Sequence, residues 1–147
     1  MSQRYENLIR DFAQHVGLDG ETLLQTQEVV IEGLKVGLDF EGDETLGDVV
    51  YFTLLGVPQP LRKSQVYETL LEANHLWVGT GGATLGVQQG TGQVIFCGRI
   101  DVEGVTAESL SLLLDAFVDN ALFWHGYIND ESPSEGWQPP GQFMIRG

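Results

Sequence analysis

The chain is poor in basic residues, in cysteine and in long apolar runs. Seven Lys and Arg stand against 21 Asp and Glu among 147 residues, which gives a formal net charge of -14. Such a surface repels phosphate backbones and anionic membranes, so we expect no nucleic-acid partner and no membrane partner. A basic or neutral polypeptide is compatible with it, and solubility alone explains the charge equally well.

Cys97 is the only cysteine, which excludes an intramolecular disulfide and a zinc cluster and fits a reducing, cytoplasmic setting. No apolar run approaches the roughly 18 residues that span a bilayer. Arg4 and Arg10 fall within an amphipathic pattern, so we expect no signal peptide. The length suits one domain, whose folding buries roughly 70% of the unfolded chain's surface.

Hydrophobic periodicity predicts three helices and five strands. Ser2 is a candidate N-cap and Gly17 a stop for the first helix, and Thr106 is a candidate cap for the last. The predicted order is helix 3–16, strands 28–32, 35–41 and 48–55, helix 61–76, strands 83–88 and 93–101, and helix 106–126. This α-βββ-α-ββ-α order predicts an α+β fold, with an antiparallel twisted sheet flanked by helices.

Two elements look apolar on more than one side. The strand at 48–55 holds apolar residues on both faces, which predicts a central strand that is covered on both sides. The last helix is apolar over more than half its girth, so its second cover is another subunit or a bound peptide. Residues 1–128 form the predicted domain, and the Pro-, Gly- and acid-rich segment 129–147 is a predicted flexible tail. Trp137, Phe143 and Met144 in that tail also allow it to fold back or to occupy a partner groove.

The glycine block fails as a phosphate loop. Gly81 and Gly86 have the spacing of the two P-loop glycines, but Val87 stands where lysine is required. A dinucleotide fingerprint that starts at Gly79 fails because Thr84 replaces its third glycine. A corner that uses positive φ angles is the better interpretation.

No local motif predicts catalysis or metal binding. The acids Asp39, Glu41, Asp43 and Glu44 fail the EF-hand pattern and indicate a solvated hairpin end. No two histidines have the spacing of a metal-binding pair. The position of Cys97 within an apolar strand predicts an unreactive small apolar residue. We therefore predict no catalytic residue, no metal, no cofactor and no enzyme activity.

One block carries a family resemblance. It consists of Leu70–Leu76, Gly79–Val87 and Gly90–Val94, that is, a helix end, a glycine corner, a strand and a tight turn into a second strand. With the order of elements and the 117–124 end of the last helix, it resembles the Tir-chaperone family, the class I chaperones of bacterial type III secretion. The resemblance implies a small acidic cytoplasmic homodimer without enzyme activity. Its partners would be the N-terminal segment of a secreted virulence effector, bound in extended form, and the secretion ATPase.

The resemblance also implies positions for the two interfaces. The effector groove would lie on the first helix and the first sheet, at Leu8, Ile9, Phe12, Val36, Leu38 and Phe40. Dimer contacts would lie on the second helix and the last hairpin, at Val66, Leu70, Leu85, Val87 and Phe96. Each of these residues is equally compatible with an ordinary core position.

Two other functions stay open at this point. Such a chain can titrate a protein that regulates secretion genes, and sequence is silent on this. A small-molecule-binding protein or enzyme that uses the Gly79–Gly86 corner is the other alternative, although the missing lysine speaks against it.

Overall fold

The fold is seen in a computed structural model that describes residues 2–43 and 45–129. It contains the α-helices α1 (Gln3–Val16), α2 (Gly20–Thr26), α3 (Lys63–Asn74) and α4 (Ala107–Ile128). The strands are β1 (Glu28–Ile31), β2 (Leu34–Gly42), β3 (Gly47–Gly56), β4 (Thr84–Val87) and β5 (Val94–Asp101). The predicted tail at 129–147 lies outside the described residues apart from Asn129.

The five strands form one sheet in the order β1-β2-β3-β5-β4. β1 with β2, β2 with β3 and β4 with β5 are antiparallel pairs: Val29 lies opposite Val36, Tyr51 opposite Leu38, and Leu85 opposite Phe96. The α+β class and the antiparallel sheet are therefore confirmed. β3 is central, as predicted, and β1 and β4 are the edges.

Local signals fix the helix ends. The Ser2 hydroxyl accepts a hydrogen bond from the Tyr5 backbone N–H, and Gly17 ends α1 in the left-handed conformation at φ 81°. The Thr106 hydroxyl accepts from the Ser109 N–H at 3.1 Å at the start of α4. These three predicted caps are confirmed.

Helix α2 was not predicted from the sequence. It has seven residues and buries only Leu23, so it is too short for a clear apolar stripe. The available signal was Asp19, whose carboxylate accepts from the Thr22 N–H at 3.2 Å. Asp19 is an N-cap that lies three residues after the end of α1.

The predicted cover on both faces of β3 is wrong for the single chain. Val49, Tyr51, Thr53 and Leu55 point to the buried face. Phe52 is 38% exposed and Leu54 is 50% exposed on the other face. A run of apolar residues shows that both faces avoid water, but it does not show that one chain covers both.

Contacts divide the chain into two compact units. Unit 1 comprises Met1–Phe52 and Gly98–Val118, and unit 2 comprises Thr53–Cys97 and the chain from Asp119 onward. In unit 1 the Tyr5 ring lies 5.4 Å from the Phe40 ring, and the Tyr51 ring meets Phe117 edge-on at 4.9 Å. These contacts pack α1 and α4 against β2 and β3.

In unit 2 the buried Trp124 joins α4 to the glycine corner. Its indole Nε1 donates to the Gly79 carbonyl at 2.9 Å. The Tyr127 hydroxyl bonds to Thr69 of α3 at 3.0 Å. The Asn129 amide donates to the Leu55 carbonyl at 2.8 Å, which fixes the end of α4 to β3.

Gly98 is required by its neighbour Tyr51. A Cβ at Gly98 would come within 2.6 Å of three atoms of the Tyr51 ring, which is itself buried against Phe117. Gly98→Ala should therefore lower the free energy of unfolding by about 1–3 kcal/mol, since the ring has no room to move. Gly86→Ala on β4 is the matched control, because its Cβ meets nothing within 4 Å. Urea midpoints that fall equally for the two variants would contradict this packing.

Candidate partner-binding surfaces

The predicted groove residues lie mainly in the core of unit 1. Five of the six are buried and Phe40 is half-buried. Ile9, Val36 and Leu38 are at most 1% exposed. Leu8 and Phe12 each line a cavity on one side of α1. The assignment of a groove to this set stays a prediction, and the accessible positions are the cavity walls around Leu8 and Phe12.

One cavity lies beside the first strand and is called the α1–β1 groove. It has a volume of about 330 Å³, and seven of its ten lining residues are apolar. Val16 and Leu18 at its mouth are 40% and 46% exposed, which is high for apolar side chains that end a helix. Its walls are Phe12, Val16, Leu18, Val29, Val30, Ile31, Glu32, Ser111, Leu114 and Asp115.

A second cavity lies on the other side of α1 and is more polar. Its volume is about 520 Å³, and it is lined by Arg4, Asn7, Leu8 and Asp11 of α1 and by residues of the 102–107 segment. Arg4 and Glu103 form an exposed ion pair across it at 3.8 Å. The α1–β1 groove therefore offers the better site for apolar side chains.

Strand β1 leaves the outer backbone groups of Val30 open, whereas those of Glu28 bond to the Thr26 hydroxyl. The Leu38 N–H donates to the Gln27 carbonyl at 2.9 Å, so hydrogen-bonded pairs recur at Val29 with Val36 and at Ile31 with Leu34. The N–H and C=O of Val30 then point away from β2. Val30 is 64% exposed, so an extended chain can reach these groups.

Strand β4 is closed at Leu85 by Asn74. The Asn74 side-chain amide donates to the Leu85 carbonyl at 2.8 Å, and its oxygen accepts from the Leu85 N–H at 2.9 Å. The register also turns the backbone groups of Val87 outward, and Asn74 does not bond to them. Side-chain closure of this kind protects part of a sheet edge against added strands.

The predicted dimer residues divide into two groups. Val66, Leu70, Leu85 and Phe96 are at most 4% exposed and act as core of unit 2, whereas Val87 is 45% exposed. Sequence reasoning missed the accessible apolar residues of unit 2. They are Leu54, Val57, Leu61, Leu71, Leu76, Trp77 and Leu122, each at least 37% exposed.

Leu76 and Trp77 owe their exposure to an unusual backbone. Helix α3 ends at Asn74, earlier than predicted, and a 3-10 turn follows at His75–Trp77. Leu76 and Trp77 both have positive φ, 50° and 58°, which is costly for side chains of this size. The turn leaves both side chains more than half exposed.

The glycine corner is a turn that packs against α4. Gly81 and Gly82 adopt φ of 64° and 99°, which confirms the interpretation as a corner. A Cβ on Gly81 would meet the Asn120 amide at 2.7 Å, and Trp124 binds the Gly79 carbonyl. These contacts place protein atoms next to Gly79 and Gly81.

The acidic end of the β2–β3 hairpin makes hydrogen bonds within its own turn. The Asp43 carboxylate accepts from the Leu46 and Thr45 N–H groups at 2.9 and 2.8 Å, and these bonds lower the pKa of that carboxyl. Glu44 lies outside the described residues.

Burial raises the pKa of the Cys97 thiol. Within residues 2–43 and 45–129, no three His, Cys, Asp or Glu side chains are grouped to hold a metal ion.

Comparison with known proteins places this fold in a family. Residues 7–125 match the model of the Tir chaperone protein (CesT) family. The chain belongs to this family. The resemblance drawn from the Leu70–Val94 block is thereby confirmed, and the family is one of chaperones.

Two solved structures are similar to this CesT-family chain, and the first of them supports the fold. The SchA–HopA1 chaperone–effector complex contains a chain with a TM-score of 0.63 and 15% identity, which covers 83% of this chain and 93% of that chain. The Yersinia pestis type III secretion chaperone SycH, solved with a stable fragment of YscM2, has a TM-score of 0.49 and 18% identity, covering 82% and 98%. No curated protein matched the chain significantly. No helix in the described part is long and apolar enough to cross a bilayer.

The Asn74 closure can be tested by stability. Asn74→Ala leaves the Leu85 N–H and C=O without these partners, and Leu85 is only 4% exposed. We expect a loss of about 1–3 kcal/mol in the free energy of unfolding. Asn7→Ala is the control, because Asn7 makes an exposed side-chain bond to Gln3 and should change stability by less than about 0.5 kcal/mol. Equal denaturant midpoints for N74A and N7A would rule out the closure.

Proposed function

We propose that this chain is a cytoplasmic type III secretion chaperone that binds the N-terminal segment of an effector and keeps it soluble and competent for export. Family membership over residues 7–125 supports a chaperone role. The observation that carries the binding mode is the open Val30 edge beside the α1–β1 groove. No enzyme activity and no cofactor are part of this proposal.

The effector segment adds a strand to β1. Its backbone pairs with the N–H and C=O of Val30, and its alternate side chains enter the groove at Phe12, Val16 and Leu18. Strand addition gives affinity through the main chain, and pockets for alternate side chains give specificity. The apolar groove beside Val30 favours β1 over β4, where Asn74 already occupies the backbone groups of Leu85.

The active form is a homodimer, and its contacts include exposed apolar residues of unit 2. Leu54, Leu71, Trp77 and Val87 are each at least 45% exposed, which is costly for a free monomer surface. The predicted dimer residues Val66, Leu70, Leu85 and Phe96 are buried in the same unit. The loaded dimer then delivers its cargo to the secretion apparatus, with the secretion ATPase as the next partner.

Recovery of the cargo tests the function as a whole. The tagged chain is used to capture proteins from lysate of its source bacterium, and complexes are sized by light scattering and identified by mass. Two copies of this chain with one secreted protein, held by that protein's N-terminal region, is the expected result. A monomer that recovers no secreted protein would contradict the proposal.

Proline at Val30 tests the binding mode. Val30→Pro removes an N–H that points away from β2, so the β1–β2 ladder stays intact and proline is tolerated at this edge. It removes one main-chain bond to the effector and blocks close approach of its strand, so we expect at least tenfold weaker binding by calorimetry, about 1.4 kcal/mol. Val30→Thr retains the N–H and should bind like the parent chain. Parent-like affinity in V30P would exclude strand addition at β1.

A further inference from the structure

The α1–β1 groove combines an apolar floor with acidic walls. Phe12 and Leu114 are buried in its floor, and Val16 and Leu18 are partly exposed at its mouth. The charged residues that line it are Glu32, at the β1–β2 turn, and Asp115, on α4. Both carboxylate residues are exposed, and no Lys or Arg is among the described lining residues.

The opposite face of β1 has a different character. Val30 lies across from Lys35 of β2, and Glu28 is exposed two residues before it on the same face of β1. A strand added to β1 therefore presents alternate side chains to two environments. Its inward side chains meet apolar groups and carboxylates, and its outward side chains meet a face that holds charges of both signs, Lys35 and Glu28. A basic residue is therefore favoured more on the inward side, where no Lys or Arg is among the described lining residues.

We propose that the groove selects an extended segment whose inward positions, i and i+2, are apolar and whose next inward position is Lys or Arg. This inference rests on the proposed function and specifies the partner's chemistry. The aliphatic stem of Lys or Arg covers apolar groove wall, while its charged end reaches Asp115 or Glu32. A Glu at the same position meets two like charges and is rejected.

Net charge alone does not provide this selection. The chain's charge of -14 attracts any cation and speeds encounter, but that attraction is screened over about 10 Å at 0.1 M salt. Contact with Asp115 or Glu32 depends on position along the segment. The two effects can therefore be separated by replacing acidic residues either in the groove or on a distant surface, so that the net charge changes by the same amount in both variants.

The probes are three fluorescent twelve-residue peptides that carry Ser at every second position, so that the positions between them share one face. These positions are Val, Val and X, repeated twice, and X is Lys, Ser or Glu in the Val–Lys, Val–Ser and Val–Glu peptides. Affinities are measured by anisotropy at 0.15 M and 0.5 M salt against the full chain. Asp115→Lys with Glu32→Lys reverses the groove acids. Glu68→Lys with Glu72→Lys, on exposed positions of α3, makes the same change in net charge elsewhere.

We expect the parent chain to bind the Val–Lys peptides about three- to tenfold more tightly than the Val–Ser peptides, the range of one or two exposed ion pairs. The groove double variant should lose this preference and accept Val–Glu, whereas the α3 double variant should keep the parental order. Equal loss in the two double variants would overturn the proposal, because only net charge would then matter.

Failure here is distinguishable from failure of the proposed function. If all peptides bind equally and Val30→Pro abolishes their binding, strand addition at β1 is supported and the proposed selection by charge is wrong. If the Val–Lys peptides bind V30P as well as the parent chain, strand addition at β1 is wrong and the selection proposed for it falls as well.

Discussion

Backbone groups at a sheet edge must find partners, and this requirement organises the surface of the chain. The sheet has two edges, and on each a side chain bonds part of the outward backbone. At β4 the side chain of Asn74 bonds to both the N–H and the C=O of Leu85. At β1 the Thr26 hydroxyl bonds to Glu28, and the outward groups of Val30, a residue that is 64% exposed, stay open beside the α1–β1 groove. An edge left open next to an apolar groove is costly in a lone protein and useful in one that binds extended chains.

Local physics made much of the fold predictable from sequence. Helix α1 follows from an apolar stripe between Ser2 and Gly17, and β2 follows from strict alternation. Prediction failed where the signal was short or not local. Helix α2 has seven residues and one buried side chain. The early end of α3 depends on Asn74, whose partner Leu85 is eleven residues away, so no pattern within the helix reveals it.

The binding surfaces were harder to predict than the fold, for one physical reason. Core and groove residues obey the same periodicity, so Ile9 and Phe12 look alike in sequence, although Phe12 lines the α1–β1 groove and Ile9 does not. The accessible groove residues lie at irregular places, such as Leu18 after the stop of α1. Leu76 is 61% exposed in a turn with a positive φ that propensity disfavours, so the pattern extended the predicted helix over it instead.

The central claim is that a partner strand pairs with the outward backbone of β1. Hydrogen exchange of single amides, read by NMR with and without a bound effector segment, measures this directly. Slow exchange at the Val30 N–H that appears only in the complex, with Leu85 protected in both states, is the predicted result. Unchanged fast exchange at Val30 in a saturated complex would contradict the account.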